Sequence, residues 1–304
     1  MQLFKQNDKK IELVKENPFR LEKEMQELVQ GNMATLFNLQ FVRSEFQLNG
    51  LRIDSLAFDK DSSSFVIIEY KKDRNFSVID QGMSYLSLML NNKAEFILEY
   101  NEKCKMSLKR DDIDWSQSRV MFVSTSFTQY QIEAINFKDL PIELWEIHRY
   151  SNNTVLFDQH IPSSTQASIK SVSKKNENVD VISKEVKTYS EQEHLSIATA
   201  EVSELYERFK NLVLSISPEI KVKAKKYYIA FQIKSNITDV CIQKKSIKVF
   251  INLEKGKLDD PKKLTRDISK IGHWGNGDYE LQISSDDDLE YVISLVRQSY
   301  KLNR

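Results

Sequence analysis

Three residues stand out for what they could do together. In the run Arg52-Ile-Asp54-Ser-Leu-Ala-Phe-Asp, a turn, then Phe65-Val-Ile-Ile-Glu69-Tyr-Lys71-Lys, charged side chains sit where a plain core strand would carry Val or Ile. Glu69 and Lys71 are two apart and share one face of a strand. If Asp59 pairs with Ser64 across the intervening turn, Asp54 falls opposite Glu69. Opposed side chains then have Cβ atoms about 4.5–5.5 Å apart, and two carboxylates at that separation destabilise the pairing. A divalent cation between them removes the cost, because Mg²⁺ takes one or two carboxylates and keeps several waters. Lys71, beside such an ion, is placed to hold a water or to stabilise charge developing on a phosphate. The plainer reading is a surface hairpin with solvated ion pairs.

Two further features bear on the choice. Leu21, Met25, Leu28, Val29, Met33, Leu36 and Phe37 are spaced as one apolar face of a helix over residues 21–37. On a helical wheel Glu22 lies about 40° from the centre of that face, and a carboxylate among buried side chains needs a partner. A Glu reaching water from the first turn is the alternative. In the next helix, over residues 75–90, Gln81 and Tyr85 are four apart and therefore neighbours; a packing Tyr85 and a solvated Gln81 is the plainer reading of that pair.

These elements must hold the three residues: strands at 41–48, 51–58 and 65–71, with turns at Asn49-Gly50 and 59–64. Strands are also expected at 95–100, 120–125 and 142–148, with a helix at 129–137. Strands interleaved with helices indicate an α/β layered domain over 1–160. Residues 161–200 are rich in Ser, Lys, Asn and Glu and read as a linker. Residues 201–304 read as a small α+β domain: a helix at 201–216, strands at 227–233, 239–242, 247–253 and 279–283, and a last helix from Asp286. The halves differ in charge. Residues 1–160 carry 20 basic and 24 acidic side chains and 201–304 carry 19 and 15, within a chain of net charge zero.

Composition removes several classes. Seven glycines and no G-x-G-x-x-G or G-x-x-x-x-G-K-[ST] exclude the Rossmann and P-loop nucleotide sites. Two cysteines, Cys104 and Cys241, cannot supply a disulfide framework or a thiolate zinc cluster. The four histidines form no H-E-x-x-H motif. No apolar run reaches membrane-spanning length and the first residues are not a signal peptide, so a cytoplasmic protein without membrane contact is expected.

The order helix with Glu22, strand with Asp54, strand with Glu69-Tyr-Lys71, helix with Gln81-x-x-x-Tyr85 resembles the PD-(D/E)xK restriction-endonuclease-like nucleases, including RecB-type members. The segments E-K-E-M-Q-E-L and R-I-D…I-I-E-Y-K-K look most like the NucS endonuclease group. The likeness covers residues 18–150. It implies a mixed sheet flanked by helices and a Mg²⁺- or Mn²⁺-dependent nuclease acting on nucleic acid, DNA in the first instance. It also implies that Asp54 and Glu69 bind metal, Lys71 assists the water, and Glu22 and Gln81 support the site. Tyr85, Lys72 and Arg74 would meet the nucleic acid. Ile53 stands where the name-giving Pro would be. Residues 227–280 resemble an uncharacterised bacterial domain that carries the loose label of predicted transport protein, a label the composition does not support. In Lys221-Val-Lys223-Ala-Lys225-Lys-Tyr-Tyr, alternating Lys beside aromatics suits nucleic-acid backbone binding by Lys223 and Lys225; an edge strand protected by Lys explains it as well. Two readings of the whole stay open: a metal-dependent nuclease, and a non-catalytic nucleic-acid- or protein-binding module on a nuclease-derived scaffold. Homodimer formation also stays open.

Overall fold

The computed structural model describes residues 2–72, 77–137, 140–161, 185–187, 189–271 and 275–303. The chain divides into two compact units, Met1–Lys187 and Thr188–Arg304. Among the described residues no helix is long and apolar enough to cross a membrane.

The first unit opens with a two-stranded ribbon, β1 (Leu3–Asn7) and β2 (Lys10–Val14), then helices α1 (Glu22–Gly31) and α2 (Met33–Phe37). The meander β3 (Gln40–Leu48), β4 (Leu51–Asp59) and β5 (Ser64–Lys71) follows, with α3 (Val78–Asn91) and α4 (Lys93–Cys104) after it. The unit continues through β6 (Arg119–Ser124), α5 (Gln129–Ala134), β7 (Ile142–Arg149) and β8 (Val155–His160). Strands β3 to β8 form one six-stranded sheet in chain order. The meander is antiparallel, β5, β6 and β7 run parallel, and β8 returns antiparallel.

Both faces are covered, which is why the middle strands read as continuous apolar runs rather than alternating ones. On one face Ile53, Phe65, Ile67 and Phe122 pack against Leu86, Met89 and Phe96 of α3 and α4. On the other, Ala57, Val66, Ile68 and Met121 pack against Met25, Val29 and Met33 of α1 and α2. Strand β5 is buried from Ser64 to Tyr70. This is the mixed α/β sheet flanked by helices that the sequence leads one to expect.

Four local expectations are corrected. Residues 95–100 are helical, inside α4, because Phe96 and Tyr100, four apart, are the buried pair while Leu98 is 53% exposed. A short apolar run does not distinguish strand from helix by itself. The helix foreseen over 21–37 breaks at Asn32, whose side chain donates to the Leu28 carbonyl at 2.8 Å. The ribbon β1–β2 and strand β8 are additional. The stretch 161–200 is not linker throughout. Val186 is buried in the core of the first unit, Lys93 pairs with Glu185 at 2.7 Å, and Glu191–Leu195 is helical; residues 162–184 lie outside the described residues.

The second unit begins with that short helix, α6 (Glu191–Leu195), and α7 (Ala200–Leu214). Strands β9 (Lys221–Ala224), β10 (Ile229–Gln232), β11 (Asn236–Ile242), β12 (Ile247–Ile251), β13 (Arg266–Asp267) and β14 (Tyr279–Ile283) precede α8 (Leu289–Asn303). The sheet is antiparallel throughout, in the order β13-β14-β12-β11-β10-β9. Tyr206 and Phe209 of α7 and Val292 and Val296 of α8 share one core with Phe231, Val249 and Leu281. Gly277 has φ +87°, and a Cβ there would lie 2.1 Å from the Ile251 carbonyl oxygen, so the approach to β12 requires glycine.

Candidate active site

The β4–β5 hairpin has the register that the turn predicts. Asp59 pairs with Ser64 and Ser55 with Ile68. The ladder ends there, one step short of Asp54 and Glu69. Asp54 has no Cα partner on β3 either, since Ser44 pairs with Ser55 and Phe46 with Ile53. It is the one residue of β4 that neither ladder claims. Its carboxylate takes the place of a strand partner: Oδ2 accepts the Tyr70 backbone N–H at 3.2 Å.

Glu69, 3% exposed, lies on the sheet face covered by α3. Its Oε1 accepts from Lys71 Nζ at 2.7 Å and from Gln81 Nε2 at 2.9 Å. Its Oε2 is buried without a hydrogen-bond partner. A buried carboxylate oxygen in that state is costly, so the site has unspent capacity for a cation or a donor. Gln81 also donates to the Tyr85 hydroxyl at 3.2 Å, and that hydroxyl donates to the Arg52 carbonyl at 2.9 Å. The helix spacing of four therefore places Gln81 and Tyr85 side by side over Glu69. Helix α3 sits close to the sheet because Gly82 faces Ile142 and Phe122; a Cβ there would meet Ile142 Cδ1 at 2.5 Å.

The electrostatics follow from burial. Desolvation, then the charge of Glu69, pushes the Asp54 carboxyl up to about 6 from an ordinary 3.8, against the Tyr70 N–H and Lys71, which favour its ionised form. The Tyr85 hydroxyl is likewise pushed up, by burial and then by Glu69, and stays protonated.

Glu22 does not join this group. Its Oε1 accepts the Lys72 backbone N–H at 2.8 Å, so it fixes the chain immediately after Lys71. Lys72 Nζ donates to the Arg20 carbonyl at 2.7 Å, which ties that side chain back to the start of α1. Arg74 lies outside the described residues. Lys223 is exposed on β9, the edge strand of the second sheet, and the Lys225 carbonyl lies 2.7 Å from His194 Nε2.

Two residues that the sequence did not single out touch Asp54 from the opposite side. Gln26 Nε2 donates to the Asp54 carbonyl at 3.0 Å and Gln30 Nε2 lies 3.4 Å from it. Both are on α1, four and eight residues after Glu22. A polar line continuing from Glu22 beside the apolar face was the signal available.

Among the described residues no group of three His, Cys, Asp or Glu side chains forms a cation cage. The pair Asp54 and Glu69 nevertheless fits a hard cation that keeps its waters. Both supply oxygen, one oxygen is unpartnered, and the two charges disfavour each other where they stand.

A protein of Haemophilus influenzae described as uncharacterized is 48% identical over 301 residues, 99% of this chain and 100% of its own length. The chain belongs to that protein's family. Within it, residues 191–303 match the model of a domain of unknown function, DUF5655, which coincides with the second unit. Similar solved structures include a repair endonuclease from Pyrococcus abyssi, at 17% identity over 43% of this chain and 50% of that one, with a TM-score of 0.25. EndoMS in its apo form is 16% identical over 48% of this chain and 64% of its own, with a TM-score of 0.29. SfsA of Pyrococcus furiosus in complex with Ca²⁺ is 12% identical over 47% and 64%, with a TM-score of 0.25. This family member thus spans half to two thirds of those chains, and similarity at that level assigns no activity.

Proposed function

We propose that the first unit is a divalent-metal-dependent phosphodiesterase acting on nucleic acid, with DNA the substrate to try first. The observation that supports it is the grouping around Glu69: a buried carboxylate with one unpartnered oxygen, Lys71 at 2.7 Å, and the protonation-prone Asp54 held nearby. Asp54 and Glu69 would hold Mg²⁺ or Mn²⁺. When bound, such an ion supplies charge neutralisation and makes a water more acidic.

The chain's own groups do the rest. Gln81 and Lys71 fix the orientation of the Glu69 carboxylate. The Lys71 ammonium, 22% exposed, carries positive charge to where a phosphate oxygen becomes more negative during substitution. Tyr85 closes the α3 side: its hydroxyl accepts from Gln81 and donates its one proton to the Arg52 carbonyl, which holds Gln81 in place over Glu69. The second unit is assigned no chemistry; substrate or partner binding through Lys223 and its neighbours on β9 is the role proposed for it.

Binding without cleavage is the second reading. It has one observation in its favour: Lys71 and Gln81 already satisfy Glu69 Oε1, so the site is half compensated without a metal. Incubation with labelled single- and double-stranded DNA and RNA in Mg²⁺, Mn²⁺ or EDTA separates the two. Cleavage that needs metal and disappears in Asp54→Ala supports the nuclease; retention without cleavage on every substrate supports the binding module. Cleavage unaffected by EDTA refutes the metal-dependent reading.

A further inference from the structure

The site residues face α3, yet the backbone that carries Asp54 is gripped from the other side of the sheet. Helix α1 presents Glu22, Gln26 and Gln30 along one line, four residues apart. Glu22 holds the Lys72 N–H just past Lys71. Gln26 Nε2 reaches the Asp54 carbonyl at 3.0 Å, Ser44 Oγ at 3.1 Å and Glu45 Oε1 at 3.1 Å. Gln30 Nε2 reaches Ser55 Oγ at 2.7 Å, Ser44 Oγ at 3.0 Å and the Asp54 carbonyl at 3.4 Å. Ser55 Oγ in turn lies 3.1 Å from the buried Tyr70 hydroxyl. The same stretch of β3 is distorted, with Glu45 at φ +53°.

We infer that Gln26 and Gln30 are positioning residues: their amides hold the Asp54 main chain clear of both neighbouring ladders, which turns its carboxylate toward Tyr70 and Glu69. This rests on the reading of Asp54 as a functional carboxylate. A strand residue ordinarily gives its carbonyl to a neighbouring strand. Asp54 lacks a cross-strand partner on either side, and a carbonyl drawn partly out of water without a donor is destabilising. The two glutamines supply that donor. The amide chemistry is specific, since Asp54 O and a carboxylate such as Glu45 Oε1 are acceptors only, so the NH₂ end must face them. A glutamate in place of Gln26 has the same shape but no donor, and would set a negative charge against both.

The test uses the full chain with Gln26→Glu, Gln26→Met and Gln30→Met. The first readout is the Tyr70 amide, whose proton the Asp54 carboxylate accepts, followed by NMR shift and hydrogen exchange. The second is Mn²⁺ affinity by calorimetry, and the third is the melting temperature. Gln26→Glu is expected to weaken Mn²⁺ binding by about tenfold or more and to release the Tyr70 amide. If added negative charge were the governing effect, the same variant would bind Mn²⁺ more tightly. Gln26→Met and Gln30→Met should move the Tyr70 amide in the same direction. The inference is overturned if the variants melt earlier but keep the wild-type Tyr70 amide and Mn²⁺ affinity, which is the behaviour of packing residues. If Gln26→Met does not fold, Gln26→Glu and Gln30→Met decide by the same criteria. If wild type neither binds Mn²⁺ nor cleaves, the nuclease proposal fails, while the Tyr70 amide still judges the positioning of Asp54.

Discussion

Replacing Asp54 by Asn should stabilise the metal-free protein near neutral pH, and much less in acid. Burial and the nearby Glu69 raise the Asp54 carboxyl from 3.8 to about 6. At about 1.4 kcal/mol per pH unit, keeping it ionised at pH 7.5 costs the fold about 3 kcal/mol. The sign follows from linkage: the folded state binds this proton more tightly than the unfolded state. The stability is therefore fully present with the group protonated and is lost as pH rises from about 4 to above 6. Asn retains an oxygen to accept the Tyr70 N–H, now at 3.2 Å, but loses the attraction to Lys71. A net gain of about 2 kcal/mol, or about 4–8 °C for a unit of this size, is expected at pH 7.5. At pH 4 the gain should fall below about 1 kcal/mol. Urea unfolding of both proteins in EDTA at the two pH values measures this. Mn²⁺ should then raise the wild-type melting temperature and leave the variant's largely unchanged. A variant less stable than wild type at pH 7.5, or equally favoured at both pH values, would refute the reasoning from burial and repulsion.

Lys71→Met should retain Mn²⁺ binding while cleavage falls by about 100-fold or more, as seen by calorimetry beside the nuclease assay; unchanged cleavage would remove Lys71 from the chemistry. Gly82→Ala forces a methyl to within 2.5 Å of Ile142 Cδ1 and should cost about 1–3 kcal/mol in denaturant unfolding of the first unit. Gly277→Ala puts its Cβ on the Ile251 carbonyl with φ at +87°, and the second unit should lose more than about 2 kcal/mol, measured by amide exchange in β12 and β14.

What the sequence disclosed was whatever depends on local spacing. The Asp59–Ser64 turn fixed the hairpin register, and the four-residue step from Gln81 to Tyr85 placed both over Glu69. What escaped depends on contacts distant along the chain. Gln26 and Gln30 look like solvated helix residues until Asp54, 28 and 24 positions away, is seen to leave its ladders. Glu22, marked by the helical wheel as an acid among buried side chains, is instead exposed at the start of α1, and its partner is a backbone amide after Lys71 rather than the carboxylate pair. The run from Glu95 to Tyr100 was too short to reveal its period, and tertiary packing of Phe96 and Tyr100 settled it as helix. Strand β8 carries half-buried residues without clean alternation, so no pattern announced it.

Strand β5 is buried from Ser64 to Tyr70 and paired on both edges from Val66 to Ile68, with Glu69 the next residue, still paired to β6. Segments so enclosed open to solvent only when the whole cooperative unit does, unlike lids and loops that breathe on their own. Glu69, 3% exposed and paired to β6, continues directly from that stretch and should exchange with the slowest amides of the first unit. Heat or denaturant should leave no window in which the first unit is folded but the carboxylate has wandered, so loss of the site and loss of the fold should share one transition and one rate.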